Sequence, residues 1–95
     1  MDLDPEQLTP VVNRLRRAEG QLAAVRRAIE EGRDCEQVVV QLAAVSRALD
    51  KAGFAIIAKG MQACVAENVS AAAEGRPPVQ TLDVAKLEKL FLSLA

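Results

Sequence analysis

Two cysteines 29 residues apart, Cys35 and Cys64, are the strongest constraint on this chain. The stretch from Asp34 to Ala73 reads as one long helix with a cysteine near each end. At 100° per residue, 29 steps come to about eight turns plus roughly 20°, so both thiols fall on one side of that helix. At 1.5 Å per residue they stand roughly 43 Å apart along its axis. A disulfide needs Cα atoms about 4.4–6.8 Å apart. A continuous helix therefore keeps the two thiols apart within one chain. Two copies packed antiparallel bring Cys35 of one beside Cys64 of the other, and two-fold symmetry makes two such sites.

The rest of the chain reads as helix too. Asp4 is the expected N-cap of a first helix, with Pro5 at its first position and Glu6 in its first turn. Leu8, Val11, Leu15, Ala18, Leu22, Val25 and Ile29 then recur in alternating steps of three and four, a heptad-like seam. Gly20 beside that seam suggests close approach of another helix, and Gly32 is the expected C′ residue. The second helix continues the pattern through Cys35, Val38, Leu42, Val45, Leu49, Ala52, Ile56, Gly60, Ala63 and Cys64. It is also apolar at Val39, Val40, Ala44, Phe54 and Ile57, so it is expected to meet more than one neighbour: the first helix and a symmetry mate. Gly75-Arg76-Pro77-Pro78 breaks it. Thr81 is the expected cap of a short third helix, with Leu82, Ala85, Leu87, Leu90, Phe91 and Leu94 on its apolar face. The expected fold is a single all-α domain over residues 1–95: two long antiparallel helices and a short C-terminal one. Its 51% hydrophobic content includes two Phe and neither Trp nor Tyr. So lean a core predicts completion by oligomerisation.

Formal charge is −1, yet five arginines and a single acid, Glu19, fall between Val12 and Arg27. Local patches set recognition more than net charge does. Arg14, Arg16, Arg17, Arg47 and Lys51 make either a solvated face of surface ion pairs or a phosphate-binding surface, with Asn13, Gln21 and Gln41 as hydrogen-bonding neighbours. The cysteines likewise are either two small buried hydrophobes or a thiol site across a subunit boundary. Histidine is absent, and neither a phosphate-binding glycine loop nor a nucleophile elbow is present, so an enzyme is not expected. Met-Asp-Leu-Asp-Pro carries no basic and apolar leader, and no apolar run approaches about 18 residues. A cytoplasmic protein with no membrane association and no cofactor is expected.

Arg14-Leu15-Arg16-Arg17-Ala18-Glu19-Gly20-Gln21, Cys35, Ala48-Leu49-Asp50-Lys51 and Cys64-Val65 together resemble the CsoR/RcnR family of bacterial transcriptional repressors, over roughly residues 8–69. The resemblance implies a four-helix-bundle dimer, a dimer-of-dimers homotetramer, operator DNA as partner, and release when an inducer reacts at an intersubunit cysteine site. Metal-sensing members typically carry a histidine four residues before the second cysteine, where this chain has Gly60. Copper sensors often have Tyr before the first cysteine, where Asp34 stands here, and an outer-shell Glu near the position of Gln80. Formaldehyde sensing in the family uses an N-terminal Pro, and residue 2 here is Asp. What remains resembles the CstR-like, persulfide-sensing branch, in which sulfane sulfur links the two cysteines as a disulfide or polysulfide. Cys35 and Cys64 are thus the expected thiol-sensing pair, with no metal ligand set, and a persulfide or polysulfide the expected inducer. A Cu(I)-responsive repressor and a helical assembly protein that binds no DNA are the competing expectations.

Overall fold

The computed structural model describes residues 3–78 and 84–94. Over these residues the chain is entirely helical and turn, with α1 (Thr9–Glu30), α2 (Cys35–Ala73) and α3 (Val84–Leu94). The expected cap at Thr81, the expected core residue Leu82, Gln80 and Asp2 lie outside the described residues.

α1 begins later than Asp4-Pro5 suggests. Asp4 does accept a hydrogen bond from the backbone N–H of Glu6 (3.0 Å), but it opens a turn that stops at Leu8. Pro10 is the reason. It has no N–H to donate to Glu6, and its ring crowds that carbonyl. The Thr9 hydroxyl donates to the Glu6 carbonyl instead (3.3 Å), and a fresh helix starts with Pro10 in its first turn. Both long helices end as their glycines predict. Gly32 (φ 70°) and Gly75 (φ 71°) are left-handed. Arg33 N–H reaches the Ala28 carbonyl and Arg76 N–H the Ala71 carbonyl, closing a Schellman turn at each end. Asp34 caps α2, accepting from the backbone N–H groups of Glu36 and Gln37.

α1 and α2 form a hairpin. Its best-packed cluster is Leu8, Val11 and Ala52, with Leu15, Ala55 and Ile56 against it. Only half of each predicted seam is buried. Val38, Val45 and Ala52 turn toward α1, while Leu42 and Leu49 are 48% and 46% exposed. On α1 Val11, Ala18 and Val25 are buried, whereas Leu22 is half exposed and Ile29 is 63% exposed. Ala28 takes the inward place expected of Ile29. Ile29 lies at the same helical angle as Val11 and Ala28 about 100° from it, so the buried side of α1 rotates along the helix. Gly20 is exposed with open space around it, so no close helix approach occurs there. The close approach is at Gly53, where an added Cβ would lie 2.8 Å from a Leu94 methyl. α3 docks there, with Leu87 buried and Phe91 stacked on Phe54 at 5.6 Å between ring centres.

The molecule measures 63 × 27 × 13 Å, about one helix thick. Its radius of gyration is 18.3 Å, where a compact chain of this length would have about 12 Å. A single layer of helices has no opposite layer to bury its outer apolar stripe. No described helix is long and apolar enough to cross a membrane.

Candidate functional site

The unbroken α2 keeps Cys35, at its first residue, far from Cys64, nine residues before its last, as their spacing requires. Their surroundings differ. Cys35 is the first residue of α2, free and exposed. Cys64 is free and has no solvent exposure at all; among the described residues it is the largest fully buried side chain. Because a single chain is present, that burial is supplied by the protomer itself. One turn further on, the Asn68 amide donates to Cys64 Sγ at 3.9 Å, a long but sulfur-compatible contact. Asn68 escaped the reading of the sequence; its spacing of four from Cys64 is the signal that could have found it. Gly60, also buried, lies one turn before Cys64 and brings no side chain to the thiol.

Cys35 shares its side of α2 with Leu42 and Leu49, since steps of seven residues return to nearly the same angle. Across the seam Leu15 and Leu22 of α1 join Leu49 and Val45 around a shallow apolar hollow. One broad side of the hairpin is therefore apolar and carries the exposed Cys35.

The other side is basic. Arg14, Arg17 and Gln21 of α1 face Arg47 and Lys51 of α2 across an open cleft of about 420 Å³. Ala18, Ala44 and Ala48 form its floor, small enough to leave the helix backbones close to a ligand. Four of the five expected basic residues are thus brought together. Arg16 is exposed but does not line the cleft, because two residues past Arg14 is about 200° around the helix. Three other arginines have carboxylate partners: Arg26 with Glu30, Arg33 with Glu31, Arg76 with Glu74. Arg14, Arg17, Arg47 and Lys51 meet no carboxylate among the described residues. Unneutralised cations converging on one cleft form an anion-binding surface.

Residues 8–92 match the family model described as metal-sensitive transcriptional repressor. The chain is 36% identical over 72 residues to the copper-sensing transcriptional repressor RicR of Mycobacterium tuberculosis, covering 76% of this chain and 72% of that protein. It is 29% identical over 76 residues to the copper-sensing transcriptional repressor CsoR of Bacillus subtilis, covering 80% of this chain and 75% of that one. The uncharacterized protein YrkD of Bacillus subtilis is 42% identical over 41 residues, 43% of this chain and 65% of YrkD. No solved structure matches.

Proposed function

The chain belongs to the metal-sensitive transcriptional repressor family, and from that premise we propose that it represses sulfide and persulfide detoxification genes and releases its operator when sulfane sulfur links Cys35 to Cys64 of another protomer. The observation that carries the inducer assignment is the donor set. Two thiols stand 29 residues apart on one helix in a chain with no histidine, and Gly60 occupies the turn before Cys64. The DNA-binding part rests on the cleft of Arg14, Arg17, Arg47 and Lys51, with Arg16 adding to the positive field from outside it.

In the proposed reaction the exposed Cys35 thiolate attacks the outer sulfur of a low-molecular-weight persulfide. A sulfur–sulfur bond forms to Cys35 and the donor's own thiolate leaves. The Cys64 thiolate of the partner then attacks the Cys35 sulfur, forming the disulfide and expelling hydrosulfide. A polysulfide donor leaves one or more of its sulfurs in the bridge. Exposure makes Cys35 the attacking thiol and burial makes Cys64 the resolving one. The protomers would pair through the apolar side of the hairpin, which carries Leu22, Leu42 and Leu49, and dimers would pair again into a homotetramer. The crosslink then changes how two hairpins sit on each other. A coupling of about 3 kcal/mol lowers DNA affinity on the order of a hundredfold.

The names of RicR and CsoR favour a second reading, Cu(I) as inducer. Soft thiolates select Cu(I), and two of them hold it without imidazole. Met61, half-buried one turn before Cys64, is the nearest further soft donor along the helix. Operator release measured side by side decides between them. The persulfide reading requires that an organic persulfide frees the DNA, that Cys35→Ser abolishes this while binding DNA normally, and that chelator-buffered Cu(I) leaves the complex intact. Release by buffered Cu(I) alone would overturn it in favour of copper. No binding of the reduced protein to its own promoter at moderate salt would overturn both.

A further inference from the structure

The basic cleft is not the end of its side of the hairpin. A second hollow of about 230 Å³ lies on the same seam, toward the α1–α2 turn. It is lined by Ala24, Arg27, Ala28, Arg33, Gln37 and Gln41, with Glu31 at its edge. On α2, Gln37, Gln41, Ala44, Ala48 and Lys51 fall within about 80° of arc, so both hollows open to one face. From Gln37 to Lys51 that face runs about 21 Å. Its floor is alanine throughout, and its walls are arginine, lysine and glutamine with the single acid Glu31.

We infer that the two hollows are one track for the sugar-phosphate backbone of a DNA duplex, with Arg27, Arg33, Gln37 and Gln41 seating phosphates beyond those held at Arg14, Arg17, Arg47 and Lys51. This rests on the DNA-binding reading above and extends it. A rise of 3.4 Å per nucleotide puts about six steps of one strand along 21 Å. Arg27 meets no carboxylate among the described residues. Arg33 does pair with Glu31 at 3.2 Å, but both side chains are more than half exposed, and such a pair is weak enough to exchange for a phosphate. Glutamine amides donate to phosphate oxygens without distinguishing bases. The second seat therefore adds affinity on any sequence and leaves operator preference to other contacts. Glu31 is the one acid on the track and opposes the DNA.

The test is binding to a duplex from the protein's own promoter and to an unrelated duplex of equal length, between about 50 and 200 mM salt. The variants are Arg27→Ala/Arg33→Ala, Arg14→Ala/Lys51→Ala and Glu31→Gln, each checked for helicity. Arg27→Ala/Arg33→Ala should weaken both duplexes by a similar factor, on the order of tenfold or more, and flatten the salt slope by about 0.9 for each phosphate lost. Glu31→Gln should tighten both. If Arg27→Ala/Arg33→Ala leaves affinity and slope unchanged while Arg14→Ala/Lys51→Ala lowers them, the extended track is wrong and the cleft stands. If the wild-type protein shows neither promoter binding nor a salt slope, the DNA reading fails and the track with it.

Discussion

At the scale of single residues the two cysteines are chemically unlike, and their positions say why. Cys35 opens a helix at the surface, while Cys64 is sealed inside its own protomer with the Asn68 amide on its sulfur. A brief pulse of iodoacetamide on the reduced protein should therefore label Cys35 and spare Cys64 until the chain is unfolded; peptide mass mapping reads both. Equal labelling would mean that the seal over Cys64 opens freely. Asn68→Leu removes the donor and keeps a similar volume. It should slow the second, bridge-forming step after persulfide treatment without changing the first, since the amide contact is to Cys64 and not to Cys35. Spacing alone revealed that these thiols share a side and cannot meet within a chain. It did not reveal which is buried, because that depends on how the protomer closes over the far half of α2, a long-range packing outcome that no local pattern encodes.

At the scale of elements the glycines give a sharp contrast. Gly20 faces open space inside α1. Gly20→Ala should stabilise the protein by about 1 kcal/mol through helix propensity alone, seen as a higher melting temperature. Gly53→Ala gains the same propensity but collides with the Leu94 methyls at 2.8 and 2.9 Å. The colliding atoms are the far end of the flexible Leu94 side chain and can swing aside, so the net change should be smaller and α3 should loosen. Faster amide exchange in α3, with α1 unchanged, is the expected signature. The existence of all three helices was legible in the sequence, as were the ends at Gly32 and Gly75. The start of α1 was not, because Asp4-Pro5 and Thr9-Pro10 compete, and only the second proline removes a donor that a longer helix would need. The seam showed which residues could face inward. It did not show that the buried side of α1 rotates along the helix, so that Ala28, not Ile29, lies inward.

At the scale of the whole molecule the hairpin is a slab 13 Å thick with two unlike sides, one apolar and carrying Cys35, the other basic. The arginine cluster was visible in sequence, but its division was not. Arg14 and Arg17 share the cleft with Arg47 and Lys51, whereas Arg16 points away through helix geometry alone. On this plan assembly and DNA binding use opposite sides. Leu22→Glu/Leu49→Glu should break the assembly, seen as a smaller species in sedimentation. DNA affinity should fall with it, although neither residue touches the basic cleft. The central claim is that sulfur chemistry between protomers switches the repressor. Its most direct test is intact mass spectrometry under non-reducing conditions on persulfide-treated protein, with operator binding followed in the same sample. The account predicts covalent dimers joined between the Cys35 and Cys64 peptides, each bridge lacking two hydrogens, with or without whole added sulfurs, appearing in step with loss of DNA. Monomeric mass with the operator still bound would contradict it.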